Sequence, residues 1–147
     1  MLRILGRKNS INVIKVLWCA DELGLEVERV DIGGAFGGND QPDYLAKNPM
    51  GRVPTIEDGP VVLWESHTIV RYLAEKHGHG TLWAQDPGEC AKSSIWMDWY
   101  LAHLHPPMTT IFWNLVRHAP EDRDMDAVAA AIEEGKQLWS VLDRHLE

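Results

Sequence analysis

The chain reads as α/β: a β-α-β-α-β-β-α segment built on a mixed four-stranded sheet, followed by a stretch that is helical only. Three observations point there. Within the first 32 residues, strand-like alternation gives way to helical spacing and then returns. Two short β-rich runs flank Glu57-Asp58-Gly59-Pro60, as in a hairpin. From residue 88 onward the sequence carries only helical signals.

Residues 2–5 predict the first strand, which stops at Gly6. The polar turn Arg7-Lys8-Asn9-Ser10 opens a stripe at Val13, Val16, Leu17, Ala20 and Leu23, a helix that Gly24 ends. Residues 26–32 alternate around Val27, Val30 and Ile32, predicting a second strand parallel to the first through a right-handed crossover. Residues 33–38 hold four glycines but neither a GxGxxG spacing nor a Walker lysine, so they read as a flexible loop. A short helix at 42–47 is broken by Asn48-Pro49-Met50-Gly51. Residues 53–56 and 61–64 are the hairpin strands, and Ser66 is expected to cap a helix over 68–77 that ends at Gly78. Residues 79–87 read as a linker. Beyond it, one helix is expected over about 88–118 with a bend near Pro106-Pro107, and another over about 122–147 with Asp122, Asp124 and Asp126 at its positive end.

The 147 residues suit one domain, or one domain and a fragment. With 45% hydrophobic and 24% charged residues the composition is globular rather than disordered. No apolar run approaches the roughly 20 residues needed to span a bilayer, and the start lacks a secretory apolar core, so neither membrane contact nor secretion is expected and a cytoplasmic location is. Net charge is −8, and residues 81–147 hold 11 acids against 5 bases; no basic face is offered to nucleic acid. Cys19 and Cys90 have no metal-site or CxxC spacing, and His103 and His105 fall on different helical faces, so no metal is expected.

Three places carry residues able to do chemistry. Ser10 and Asn12 stand at the mouth of the first helix, whose free N–H groups favour an anion. A donor there would lower a thiol's pKa, and a lowering by about two pH units corresponds to roughly 2.7 kcal/mol. Val53-Pro54 opens a strand at an edge where an extended peptide can pair. Glu65 and Ser66 set a carboxylate beside free helix N–H groups, a pairing suited to a ligand carrying both an amino group and a carboxylate. Each also has a plainer reading: a helix cap, a strand-start proline and a capping motif on a solvated corner.

Taken together, the Ser10-x-Asn12 turn, Asn48-Pro49-x-Gly51-x-Val53-Pro54-Thr55-Ile56 and Leu63-Trp64-Glu65-Ser66-x-x-Ile69-x-x-Tyr72-Leu73 make the chain resemble the cytosolic glutathione transferases. The resemblance is strongest over 1–77. It implies a thioredoxin-like glutathione-binding domain over 1–79 and a partial all-α domain over 88–147. Pro54 would be cis, Val53 would pair with the cysteinyl backbone of glutathione, and Arg52 would lie near the glycyl carboxylate. Glu65 and Ser66 would hold the γ-glutamyl end. No tyrosine or cysteine occupies the first turn, so the match is to serine-type and bacterial Ser-x-Asn classes, with Ser10 first and Asn12 second as thiolate donors. The family sets its electrophile between its domains, and Trp113 and Arg117, four apart on one helical face, are assigned to that pocket. Cys19 reads as an inert core thiol.

The family's helical domain normally has five or more helices, and two are expected here, so the chain is read as a C-terminally truncated form. Trp96, Trp99, Tyr100, Leu104, Phe112, Trp113 and Val116 would then lose their cover. The function implied is transfer of the glutathione thiolate to a small electrophile, with glutathione as co-substrate, no metal, and a homodimer as the usual assembly. Two alternatives stay open: glutathione-dependent reduction of disulfides or peroxides, and glutathione binding without turnover.

Overall fold

Strands β1 (Leu2–Leu5) and β2 (Val27–Val30) pair in parallel, joined by helix α1 (Ile11–Glu22), in a computed structural model that describes residues 1–147. Strand β3 (Thr55–Asp58) runs antiparallel beside β1, and β4 (Val61–Trp64) antiparallel beside β3, giving the order β2-β1-β3-β4. Short helix α2 (Pro42–Leu45) precedes β3, and α3 (Ser66–His77) follows β4. The mixed four-stranded sheet expected from the sequence is therefore present.

Several boundaries differ from expectation. β3 starts at Thr55 rather than 53, because Pro54 has no N–H to give the ladder. Glu57 and Asp58, expected in the turn, belong to the strand; the loop is Gly59-Pro60 alone, with Gly59 at φ +61°. Helix α3 begins two residues early. Ser66 is its first helical residue, and Glu65 is the N-cap, at φ +70°. The chain leaves β4 at Trp64 and must enter the helix within one residue, so Glu65 takes the backbone conformation that side chains disfavour.

The core of this unit, Met1–Pro87, lies between the sheet and one pair of helices. Ile4 and Ile56, opposite each other in the ladder, meet Val13 and Val16 of α1 and Ile69 and Leu73 of α3, all fully buried. Each such side chain contributes about 1.5–3 kcal/mol on burial. The three-to-four-residue spacing of Val13, Val16 and Cys19/Ala20 is the stripe expected for α1; Ile11, Ile14 and Trp18 point outward.

The second unit, Gly88–Glu147, is helical. Helices α4 (Pro87–Trp99) and α5 (His105–Phe112) are joined by a π-turn at Tyr100–Leu104, and another π-turn, Trp113–Arg117, ends the run. Pro106 and Pro107 cannot donate to the preceding carbonyls, and the strain is taken up upstream of them by the wider turn, whose His105 N–H reaches back to the Tyr100 carbonyl. Helix α6 (Met125–Leu146) is capped by Asp124, whose carboxylate accepts from the Ala127 N–H at 2.8 Å. It packs on α5 closely enough that a Cβ at Gly135 would lie 2.9 Å from Met108 Cε. Asn114 ties the two: its amide donates to the Thr110 carbonyl at 2.9 Å and its oxygen accepts from the Asp124 N–H at 2.8 Å. No helix is long and apolar enough to cross a membrane.

Candidate functional site

Sheet register alone gathers the three candidate places. Leu5 is level with Thr55 on β3 and with Val30 on β2, and Thr55 is level with Trp64 on β4. The next residues along each strand, Gly6–Ser10, Pro54 and Val53, and Glu65 and Ser66, therefore leave the sheet at the same end. This is the carboxyl end of the parallel pair, where open α/β sheets form their crevices.

Ser10 is the N-cap residue of α1 with φ −91° and ψ 125°, yet its side chain makes no capping hydrogen bond. Its carbonyl takes the first helical bond, from Ile14 N–H at 2.9 Å, so the N–H groups of residues 11–13 have no acceptor within the helix. The plainer reading, a hydroxyl consumed in capping, is not what the structure has. Asn12, half-buried, accepts a hydrogen bond from the Lys15 ammonium at 3.0 Å. Burial pushes the Lys15 ammonium below the ordinary lysine value, and the charge of Glu65 partly offsets this. Lys15 Nζ also lies 3.2 Å from His67 Nε2.

Val53 stands against the same turn. A Cβ at Gly6 would come within 2.5 Å of Val13 Cγ2 and 3.3 Å of Val53 Cβ, so only glycine lets β1, α1 and the Val53 loop approach this closely. The Gly6 carbonyl accepts from Arg29 at 3.1 Å, and Arg29 also forms an ion pair with Asp31. The Val53–Pro54 peptide bond is cis. Pro54 is buried, while Arg52 and Glu65 are exposed and Ser66 is buried. The glycine-rich loop also approaches Val53 closely: an added Cβ at Gly33 would lie 3.2 Å from Val53 Cγ1.

What holds the Arg52–Val53 segment was not visible in the sequence. Asn48, 2% exposed, donates to the Arg52 carbonyl at 2.7 Å and to Thr55 Oγ1 at 3.1 Å, and accepts from Met50 N–H at 3.0 Å. The Tyr44 hydroxyl donates to the same Arg52 carbonyl at 2.6 Å and lies 2.9 Å from Thr55 Oγ1. The loop is thus fastened by buried side chains with their polar atoms paired. Its sequence signal was the run Asn48-Pro49-x-Gly51, which reads as a turn and says nothing of the bonds the Asn48 side chain makes.

Trp113 and Arg117 belong to the second unit, in its second π-turn. Trp113 is half-exposed, and the Arg117 guanidinium lies 5.3 Å over the Phe112 ring. Cys19 is buried in α1 with Sγ 3.8 Å from the Val70 carbonyl, and burial pushes its thiol up from the usual value. Such a thiol is a poor nucleophile.

Comparison with known proteins gives the site its context. The family model for the glutathione S-transferase N-terminal domain matches residues 2–75. Glutathione S-transferase GstB of Escherichia coli is 42% identical over 148 residues, covering 99% of this chain and 71% of that protein. Glutathione S-transferase 3 of Zea mays is 34% identical over 97% of this chain and 64% of its own length. Among solved structures, a theta class glutathione S-transferase from Xanthomonas axonopodis pv. citri with glutathione bound superposes with a TM-score of 0.93 at 45% identity, over 99% of this chain and 70% of that one. On these matches the chain belongs to the glutathione S-transferase family of enzymes.

Proposed function

We propose that the chain binds glutathione across the end of the sheet where its three candidate loops emerge, and activates the glutathione thiol for attack on a small electrophile. The observation that carries this reading is the register row Leu5, Thr55 and Trp64, from which all three loops depart. Glutathione lies extended along the Val53 backbone, which offers its N–H and C=O to the cysteinyl unit as an added strand would. The Arg52 guanidinium takes the glycyl carboxylate through a forked pair of hydrogen bonds. Glu65 takes the γ-glutamyl ammonium, and Ser66 with the first free N–H groups of α3 takes its carboxylate.

The thiol then lies at the mouth of α1. The Ser10 hydroxyl, left unused by capping, donates to the thiolate, and Asn12 supplies a second donor. Charge develops where fixed donors and a helix dipole already point, so little reorganisation is needed. Attack on the electrophile forms the carbon–sulfur bond and expels its leaving group, with no covalent bond to the protein. Trp113 and Arg117 are our candidates for contacts to that electrophile. In this reading residues 1–79 are the glutathione-binding domain, 88–147 supply part of the helical domain, and the working form is a cytoplasmic homodimer.

Calorimetric titration of glutathione into the chain and into Ser10→Ala, with the thiolate followed by its ultraviolet absorbance, tests this. Binding by both, with the thiolate signal lost and kcat/KM reduced about 10²–10³-fold in the variant, is expected for loss of one fixed donor. An unaltered thiolate in the variant moves the role to Asn12. No binding by the folded chain refutes the reading. Turnover of a small disulfide without turnover of an aryl halide would replace conjugation by reduction, and binding with neither would leave a non-catalytic module.

A further inference from the structure

Lys15 has no part in the contacts assigned above, yet it sits where they meet. It lies one turn into α1, half-buried, with its ammonium 3.0 Å from Asn12 Oδ1 and 3.2 Å from His67 Nε2. Asn12 belongs to the first turn of α1 and His67 to the first turn of α3, so a single cation joins the two helix starts that frame the site. Glu65, the residue before α3, is close enough for its charge to act on it.

An ammonium has hydrogens to give and no lone pair to offer. Asn12 and His67 must therefore both accept from it. His67 presents its Nε2 toward it at 3.2 Å, as the acceptor of that contact. Asn12 turns its carbonyl oxygen toward it, and the NH2 end of that amide faces away from Lys15 with both hydrogens available. Without such a partner an asparagine amide can rotate by half a turn and present an acceptor instead, which would repel an anion.

We propose that Lys15 is a positioning residue for glutathione ionisation: it locks Asn12 as a donor toward the thiolate and adds a nearby positive charge, the thiol proton leaving to solvent. This rests on the glutathione-binding reading given above. Half-burial of an ammonium carries a desolvation cost that an ordinary surface lysine in an i,i+3 helix pair avoids, and a role for its charge gives that cost a reason.

Three variants test it: Lys15→Met, which keeps the stem and removes the donors; Lys15→Arg, which restores donors and charge; and Asn12→Asp, which still pairs with Lys15 but has no hydrogen to give. For each, glutathione affinity is measured by calorimetry, the thiolate fraction of bound glutathione by absorbance at neutral pH, and kcat and KM with an aryl halide. In Lys15→Met we expect KM for glutathione within about threefold of the parent. Its thiolate fraction and kcat should fall about tenfold, equivalent to one unit of thiol pKa. Lys15→Arg should recover most of both. Asn12→Asp should lose the thiolate although its pairing with Lys15 persists, and this variant decides the matter if Lys15→Met does not fold. A parental thiolate fraction in Lys15→Met or in Asn12→Asp overturns the proposal while glutathione binding stands. Failure of the parent chain to bind glutathione overturns both.

Discussion

Glu65 is the one residue other than glycine held at positive φ, and it does so at a corner where its carboxylate is exposed. A backbone in that region costs about 1–3 kcal/mol for a residue with a Cβ. Glycine would shed most of that strain while losing about 0.5–1 kcal/mol to its own flexibility. Glu65→Gly is therefore expected to leave stability unchanged or raise it by about 1 kcal/mol in denaturant unfolding, while KM for glutathione rises. A loss of more than about 1 kcal/mol would mean that the Glu65 side chain holds the fold rather than the ligand. At this scale the sequence was legible where residue type alone suggests chemistry. Ser10, Asn12, Val53 and Glu65 stood out by type and spacing, and register brings them to one end of the sheet. Lys15 and Tyr44 did not stand out, and Asn48 did so only as part of a turn and of the family motif, because each acts on a partner that only the folded chain brings within 3.2 Å.

Strand β3 carries its two carboxylates as ties to its neighbours. Glu57 pairs with Arg3 of β1 and with Lys47 at 2.6 Å, and Asp58 accepts from Lys76 at 2.6 Å and Tyr72 at 2.8 Å, both on α3. The Lys47 ammonium holds the Glu57 carboxyl below its ordinary value, and the Lys76 and Tyr72 hydrogen bonds do the same for Asp58. A carboxylate whose folded pKa is depressed stabilises fully above its unfolded pKa and loses that contribution as pH falls through the folded one. Stability should thus hold down to about pH 4 and then decline. In Asp58→Asn the decline below that point should be shallower, and stability at neutral pH lower, in urea unfolding followed across the acid range. A parallel decline in both proteins would show that Asp58 contributes nothing to it. These ties explain why Glu57 and Asp58 looked like turn residues in the sequence: their charge suggested a loop, and only cations on adjacent elements let them stay in a strand.

The two units differ in how much apolar surface they bury. The first has eight core side chains in one cluster, six of them fully enclosed. In the second, Leu104, Val128 and Ala131 are buried, whereas Ile95, Trp113 and Val116 are at least half exposed. Hydrogen exchange should therefore be slowest at Ile4, Val16 and Ile56, with amides of α4 to α6 opening at lower free energy. Equal protection in both units would contradict this. Of the seven apolar residues expected to lack cover, Phe112, Trp113 and Val116 are exposed, but Leu104 is buried and Trp96 stacks 4.3 Å from His145 on α6. A helical wheel drawn through this run misjudges such faces, because each π-turn absorbs an extra residue and rotates the helix beyond it by about 100°. The division into a mixed sheet and a helical part was legible in the periodicity; the phase of the helices was not. Asn48 touches the lifetime of the folded chain as well as its shape. An asparagine ages chemically when the next residue's backbone nitrogen attacks its side-chain amide, closing a succinimide ring and releasing ammonia. Pro49 follows Asn48 and has no N–H with which to complete that ring. The buried amide that fastens the Arg52 carbonyl is therefore shielded, by its neighbour in the chain, from the commonest way in which such an amide is lost.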